Sequence, residues 1–230
     1  MCHISFMASC FTVNTHKNAL LQHFGHFLLT NLLLPKLRQT ALEDKYPSKV
    51  ITLSSSLYTQ ARRHSRQSGS DKVEFGIDLN DLQCQKKRYT LFDQYSQSKL
   101  ANILFARELG RRETLRAIKM HHSPTSTAEN ATNGIHFFCP VQSYSLHPGL
   151  VRTNVVRDMP WYLYYPNIVF AFFLAVLQKT PRSGAYTSVF CAVVDDFRPF
   201  KVGSDDEPCS YYVNSEICDL SAAARSDEVS

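Results

Sequence analysis

Tyr95-Ser-Gln-Ser-Lys99 is the stretch on which the reading of this chain turns. In a helix, residues four apart lie one turn apart on the same face, so a phenol and an ammonium meet there. The pattern predicts a helix over Phe92 to Arg111. A free phenol, with a pKa of about 10, is a poor base at neutral pH, and an adjacent cation favours phenolate and lowers that value. Such a pair can pass a proton to or from an alcohol or carbonyl oxygen. The spacing alone recurs by chance in a chain with eleven tyrosines, so the surrounding pattern has to carry the reading.

That pattern is α/β. Upstream, Lys49-Val-Ile-Thr-Leu53 is a short apolar run rich in β-branched residues, which predicts a buried strand, and it ends in Ser54-Ser55-Ser56. A hydroxyl cluster at a strand's carboxyl end lies where open α/β sheets bind ligands, although the same cluster also suits an ordinary polar turn. Earlier still, Leu20 to Leu37 carries Leu21, Phe24, Leu28 and Leu32 at the spacing of an amphipathic helix, which Pro35 is expected to end or bend. Downstream, Ser143-Tyr-Ser-Leu-His-Pro-Gly149 reads as a strand running into a turn. Strand, helix and strand alternate as in a βαβ unit.

The glycines work against a complete nucleotide site. Eight occur, at positions 25, 69, 76, 110, 134, 149, 184 and 203, and they form no Gly-x-Gly-x-x-Gly or Gly-x-x-x-x-Gly-Lys pattern. The chain therefore reads as a catalytic part without its phosphate-cradling loop.

Composition sets outer bounds. With 230 residues and 44% hydrophobic content, one core is expected and no second domain. A formal charge of +5 is scattered through Arg62-Arg63, Lys86-Lys-Arg88 and Arg111-Arg112; these read as solvated faces, and nucleic acid is not an expected partner. Seven cysteines without a Cys-x-x-Cys pair read as reduced thiols in a cytosol-facing setting, with no metal site expected. Trp161 to Leu177 is uncharged and opens with four aromatics in five positions. It suits an apolar lid over a lipophilic substrate, or a peripheral membrane contact through its aromatic belt. It is marginal as a spanning helix.

Several segments together resemble the short-chain dehydrogenase/reductase family, in its retinol dehydrogenase-like branch. They are Phe24-Gly-His-Phe-Leu-Leu-Thr30, Val50-Ile-Thr-Leu-Ser-Ser55, Tyr95-Ser-Gln-Ser-Lys-Leu-Ala-Asn-Ile-Leu-Phe105 and Ser145-Leu-His-Pro-Gly-Leu-Val-Arg-Thr153. Lys179-Thr-Pro-Arg-Ser-Gly-Ala-Tyr-Thr-Ser188 and Ser221-Ala-Ala-Ala-Arg225 match its later part. They stand in the family's order across most of residues 20 to 225.

The resemblance implies a partial Rossmann-like, doubly wound α/β fold, the C-terminal two-thirds of the family's domain. The missing part would hold the glycine loop and the Asn-Asn-Ala-Gly segment. One partial domain over 1–230 is expected, with a divergent start at 1–19, an insert at 116–142, a substrate lid region at 160–200 and a tail at 221–230. Tyr95 would be the general acid or base, Lys99 would lower its pKa and hold the nicotinamide ribose, and Ser55 would hydrogen-bond the substrate oxygen. Pro148, Gly149 and Thr153 match the segment that contacts the nicotinamide. The cofactor would be NADP(H) or NAD(H), and the substrate a small lipophilic alcohol or aldehyde of retinoid or steroid kind. The family's catalytic asparagine position falls on Gln22, with Asn14 in a similar Val-Asn pair eight residues upstream. The resemblance also implies a cytoplasmic or cytosol-facing, membrane-associated location at the endoplasmic reticulum. A homodimer through Leu20 to Leu37 and Phe92 to Arg111 would follow family practice. Two readings stay open: an oxidoreductase, or a catalytically silent fragment or isoform that acts through protein contacts.

Overall fold

The computed structural model describes residues 21–67, 70–81, 91–121, 138–151, 178–194, 210–221 and 224. Within them, helix α1 spans His26–Asp44 and is entered through a single π-helical turn, Leu21–Gly25. Strand β1 is Ser48–Leu53, followed by a 3-10 turn at Ser56–Gln60 and a hairpin of β2, Arg62–Gln67, with β3, Ser70–Phe75. Helix α2 runs Leu91–His121, β4 Val141–His147, α3 Pro181–Val193, β5 Ser210–Val213 and β6 Glu216–Cys218.

The main sheet has the order β1-β4-β5-β6. β4 lies parallel to β1, from Ser48 opposite Val141 to Leu53 opposite Leu146, and parallel to β5 on its other side; β6 turns back antiparallel. Residues of β1 alternate between the two faces. Val50 packs with Val141, Leu34, Leu37 and Leu109, under α1 and α2, while Ile51 packs with Tyr144, Leu146, Tyr212 and Cys191, on the side of α3. Helices therefore cover both faces of a mostly parallel sheet, an α/β architecture of the doubly wound, Rossmann-like kind. Among the described residues, β1 is an edge strand.

Lys49 shows how this packing is completed. Only 4% exposed, it extends along the sheet and donates its ammonium to the carbonyls of Ala192, at 3.3 Å, and Val194, at 2.6 Å. Those carbonyls close the carboxyl end of α3, where a cation is favoured. Between the two helices on the other face, Arg38 reaches a Glu113 carboxylate that is almost fully buried, with Nε 2.9 Å from Oε2 and Nη2 bonded to Oε1. The fork-shaped contact fixes α1 against α2.

Of the two outcomes expected at Pro35, an end or a bend, the first does not occur, for α1 continues to Asp44. Proline inside a helix costs about 3 kcal/mol, and burying Leu34 and Leu37 contributes roughly 1.5–3 kcal/mol each, enough to hold it in register. The apolar row Phe24, Leu28 and Leu32 is not the core face, for Leu28 is 59% and Leu32 69% exposed; the buried row is Leu34, Leu37 and Ala41. The helix is apolar on more than one side, and the position of the sheet selects the side that is covered.

Elsewhere the predicted helix over Phe92 to Arg111 is longer at its carboxyl end, reaching His121, and the second predicted strand begins at Val141. Both ends of the expected insert at 116–142 are thus regular structure, and its middle, 122–137, lies outside the described residues. So do Trp161 to Leu177 and Asn14. Among the described residues no helix is long and apolar enough to cross a membrane.

Candidate active site

The site is assembled at the carboxyl end of β1, where the strand delivers Ser54 and Ser55 against the first turns of α2. The two serines have separate tasks. Ser54 Oγ donates to the Lys99 carbonyl, 2.8 Å away, which staples the strand end to the helix. Ser55 caps the following 3-10 turn, its Oγ accepting from the Leu57 N–H at 3.3 Å. A side-chain hydrogen bond with Ser55 also favours the Tyr95 phenolate.

Tyr95 and Lys99 share a face of α2, as their spacing requires, and the Lys99 ammonium lies 5.4 Å from the centre of the Tyr95 ring. It stands over the ring, within cation–π range, and donates to the Leu53 carbonyl at 3.5 Å. Burial raises the Tyr95 pKa above that of a free phenol, and the opposing pull comes from the Ser55 hydrogen bond. In the free chain the ammonium faces the ring and a backbone carbonyl. Burial also pushes Lys99 down to about 8.

From the neighbouring strand, β4 delivers His147, followed by Pro148 and Gly149. Gly149 has φ +85°, a backbone that other residues adopt only with strain, and the Lys179 side chain runs 3.2 Å from where a Cβ would stand. Val151 pairs with Lys179 in an isolated bridge, which holds this turn against the start of α3. Among the described residues, the buried His147 Nδ1 has no hydrogen-bond partner. Burial lowers the His147 pKa, and the charges of Lys179 and Lys99 add to that effect. Thr153 lies outside the described residues.

Ser55, Tyr95 and Lys99 are thus brought together, with Pro148 and Gly149 at the end of the adjacent strand. Sequence reasoning assigned nothing to Asn102, although 95, 99 and 102 share one helical face. Asn102 is 1% exposed, and its Nδ2 donates to the Leu53 carbonyl at 3.1 Å while its Oδ1 meets His23 Nδ1 at 3.1 Å. The face periodicity was the available signal for Asn102; nothing local links it to His23, 79 residues earlier.

A mostly parallel sheet covered on both faces, with a serine, a tyrosine and a lysine converging beyond its strand ends, defines a Rossmann-like α/β protein. No family model matches the chain. Over its whole length it is 31% identical to retinol dehydrogenase 11 of Homo sapiens, of which the match covers 54%. It is 36% identical to retinol dehydrogenase 14 of Mus musculus over 76% of the chain and 39% of that protein. Dehydrogenase/reductase SDR family member 13 of Bos taurus matches at 28% over 98% of the chain and 47% of its own length. The chain is thus similar over most or all of its length to retinol dehydrogenases and to a member of the short-chain dehydrogenase/reductase family. It spans about half the length of the curated relatives it matches.

Proposed function

We propose that this chain carries the catalytic face of an NAD(P)(H)-dependent oxidoreductase that interconverts a lipophilic alcohol and its carbonyl compound, of the retinoid or steroid kind. The observation that carries the reading is the convergence of Tyr95 and Lys99 on one face of α2, with the Lys99 ammonium 5.4 Å from the centre of the tyrosine ring and Ser55 just beyond the end of β1. In reduction, Ser55 hydrogen-bonds the substrate oxygen and stabilises the charge that develops on it, and Tyr95 gives that oxygen its phenolic proton. In oxidation Tyr95 takes the proton back. Lys99 keeps a positive charge near the phenol and offers its N–H groups to ribose hydroxyls.

The residues present fit the nicotinamide end of the cofactor. Gly149 turns the chain at φ +85° directly after β4, and among the described residues His147 carries a buried nitrogen without a hydrogen-bond partner beside Lys99. Tyr95, Lys99, Pro148, Gly149 and Thr153 would hold that end. For the phosphates the sequence has no glycine-rich loop. When bound, the nicotinamide supplies the hydride in reduction and accepts it in oxidation.

Calorimetric titration of the purified chain with NADPH and then NADH, with Lys99→Ala as control, tests the reading. Saturable binding that the control weakens is expected, followed by turnover of a retinaldehyde. A folded chain that binds neither cofactor sinks the reading.

The second reading is a silent fragment or isoform that works through protein contacts. It is favoured by the place of β1 at the sheet edge among the described residues and by Phe24, Phe27, Leu28 and Leu32, which are exposed among them. A homodimer over α1 and α2, or attachment to a cytosol-facing membrane, would cover such a surface. A Tyr95→Phe chain that retains every cellular effect of the wild type would decide for this second reading.

A further inference from the structure

We infer that Asn102 and His23 are positioning residues for Lys99, acting through the Leu53 carbonyl that Asn102 and Lys99 share; the inference rests on the oxidoreductase reading of the same site. Leu53 closes β1 two residues before Ser55. Its carbonyl oxygen accepts from Asn102 Nδ2 at 3.1 Å and from Lys99 Nζ at 3.5 Å. A carbonyl oxygen has two lone pairs, and here the amide takes the shorter contact and the ammonium the longer one. Lys99 is thereby parked on a weak bond, ready to exchange it for a ligand hydroxyl.

The amide holds that position because its other end is also bonded. Oδ1 can only accept, so the His23 Nδ1 that meets it at 3.1 Å carries the hydrogen. The ring of His23 is in turn fixed by aromatic contacts with Phe24, at 5.3 Å, and with Phe27 and Phe105, each at 6.2 Å. Burial lowers the His23 pKa, in keeping with a neutral imidazole that donates from Nδ1. The π-helical turn Leu21–Gly25 presents this histidine to α2, and such turns recur at functional sites. The chain from His23 through Asn102 to Leu53 joins three elements that are far apart in sequence, and it ends on the lysine.

The titration of Lys99 itself provides the test, and it needs no catalytic activity. The full chain is reductively methylated with carbon-13, and the Lys99 resonance, assigned by its loss in Lys99→Arg, is followed against pH. Among the described residues, the titratable groups around Lys99 are Tyr95, His147 and, across Asn102, His23. Asn102→Leu leaves the carbonyl to the ammonium alone and is expected to raise the Lys99 midpoint by about half a unit or more, since a hydrogen bond to the charged form favours it.

His23→Phe should shift the midpoint in the same direction, His23→Gln, which keeps a donor, should restore it, and the double variant should move no further than Asn102→Leu. If Asn102→Leu does not fold, the His23 pair decides, for Phe and Gln must then differ. A Lys99 midpoint that is unmoved in both His23→Phe and Asn102→Leu, or equal in His23→Phe and His23→Gln, overturns the inference. Failure of cofactor binding in the calorimetric titration leaves this readout intact, so the two readings fail separately.

Discussion

The Lys99 ammonium lies over the face of the Tyr95 ring, 5.4 Å from its centre, and its hydrogen bond goes to the Leu53 carbonyl and not to the phenol. In the free chain the tyrosine is consequently governed by burial, which raises its pKa, and by Ser55, which opposes that rise. The mechanism proposed above therefore calls for Lys99 to leave its carbonyl when ligand arrives.

A pH profile follows. Tyr95 is held in its protonated form, the form a general acid needs, while Lys99 loses its proton at about 8. The kcat/KM for reduction, which reports the free enzyme, is expected to be flat below that value and to fall about tenfold per pH unit above it. Tyr95→Phe should lower the plateau by roughly 10²–10⁴-fold. Steady-state rates from pH 6 to 10 check both, and a profile that rises through pH 8 contradicts the assignment of the charge to Lys99.

Lys99→Met should stabilise the fold while removing activity. The folded amine holds its proton less tightly than the unfolded one, whose pKa is 10.5 against about 8 in the fold. Below pH 8 the buried charge is carried at a cost, and between about 8 and 10.5 the unfolded chain binds more protons, so wild-type stability gains from Lys99 as pH rises. Methionine removes that cost, by at most about 3 kcal/mol at pH 7. Burial also pushes the Cys139 thiol up to about 11 and the Cys191 thiol up to about 12, but these act alike in both proteins. Urea unfolding at pH 7 and 10 should show the difference between the two proteins shrink; a constant gap argues against a depressed Lys99.

Ser55→Ala separates chemistry from folding. It removes the hydroxyl that opposes the rise in the Tyr95 pKa and the donor proposed for the substrate oxygen, so kcat should fall by about 10²–10³-fold. The lost cap on the 3-10 turn costs only about 1 kcal/mol. Thermal melts alongside rate measurements distinguish this from a general loss of fold, in which stability would fall by several times as much.

Gly184→Ala should disturb the turn after β4 from a distance. A Cβ at 184 would stand 2.3 Å from Val151 Cγ2 and 2.8 Å from Cγ1, and a β-branched valine has little freedom to move aside. The backbone bridge between Val151 and Lys179 has to shift, carrying the segment that follows Gly149. A destabilisation of about 1–3 kcal/mol is expected, with cofactor binding weakened beside it. Denaturant unfolding and the calorimetric titration measure the two parts, and unchanged values in both would show that the contact is relieved locally.

Local pattern was enough for the elements that carry the site. The run Lys49 to Leu53 is a strand because its β-branched residues pack on both faces of a parallel sheet, and Tyr95 and Lys99 share a face because helical geometry admits no other outcome at that spacing. His147, Pro148 and Gly149 fall at a strand end for the same local reasons. The hairpin from Arg62 to Phe75 was not foreseen, since its residues are mixed in polarity and show no clean alternation. Which leucines of α1 are buried was equally illegible, because Leu32, Leu33 and Leu34 are chemically alike and only the sheet beneath them tells them apart.

The sequence by itself thus determined the kind of fold, the strand that presents Ser55 and the helical face shared by Tyr95 and Lys99, since each depends on interactions within a few residues of the chain. Tertiary structure alone decided where Lys99 rests, that Ser55 opposes the effect of burial on Tyr95, and that His23 meets Asn102 across 79 residues. Those outcomes depend on burial and on contacts between distant segments, quantities that exist only once the sheet and its helices have closed on one another.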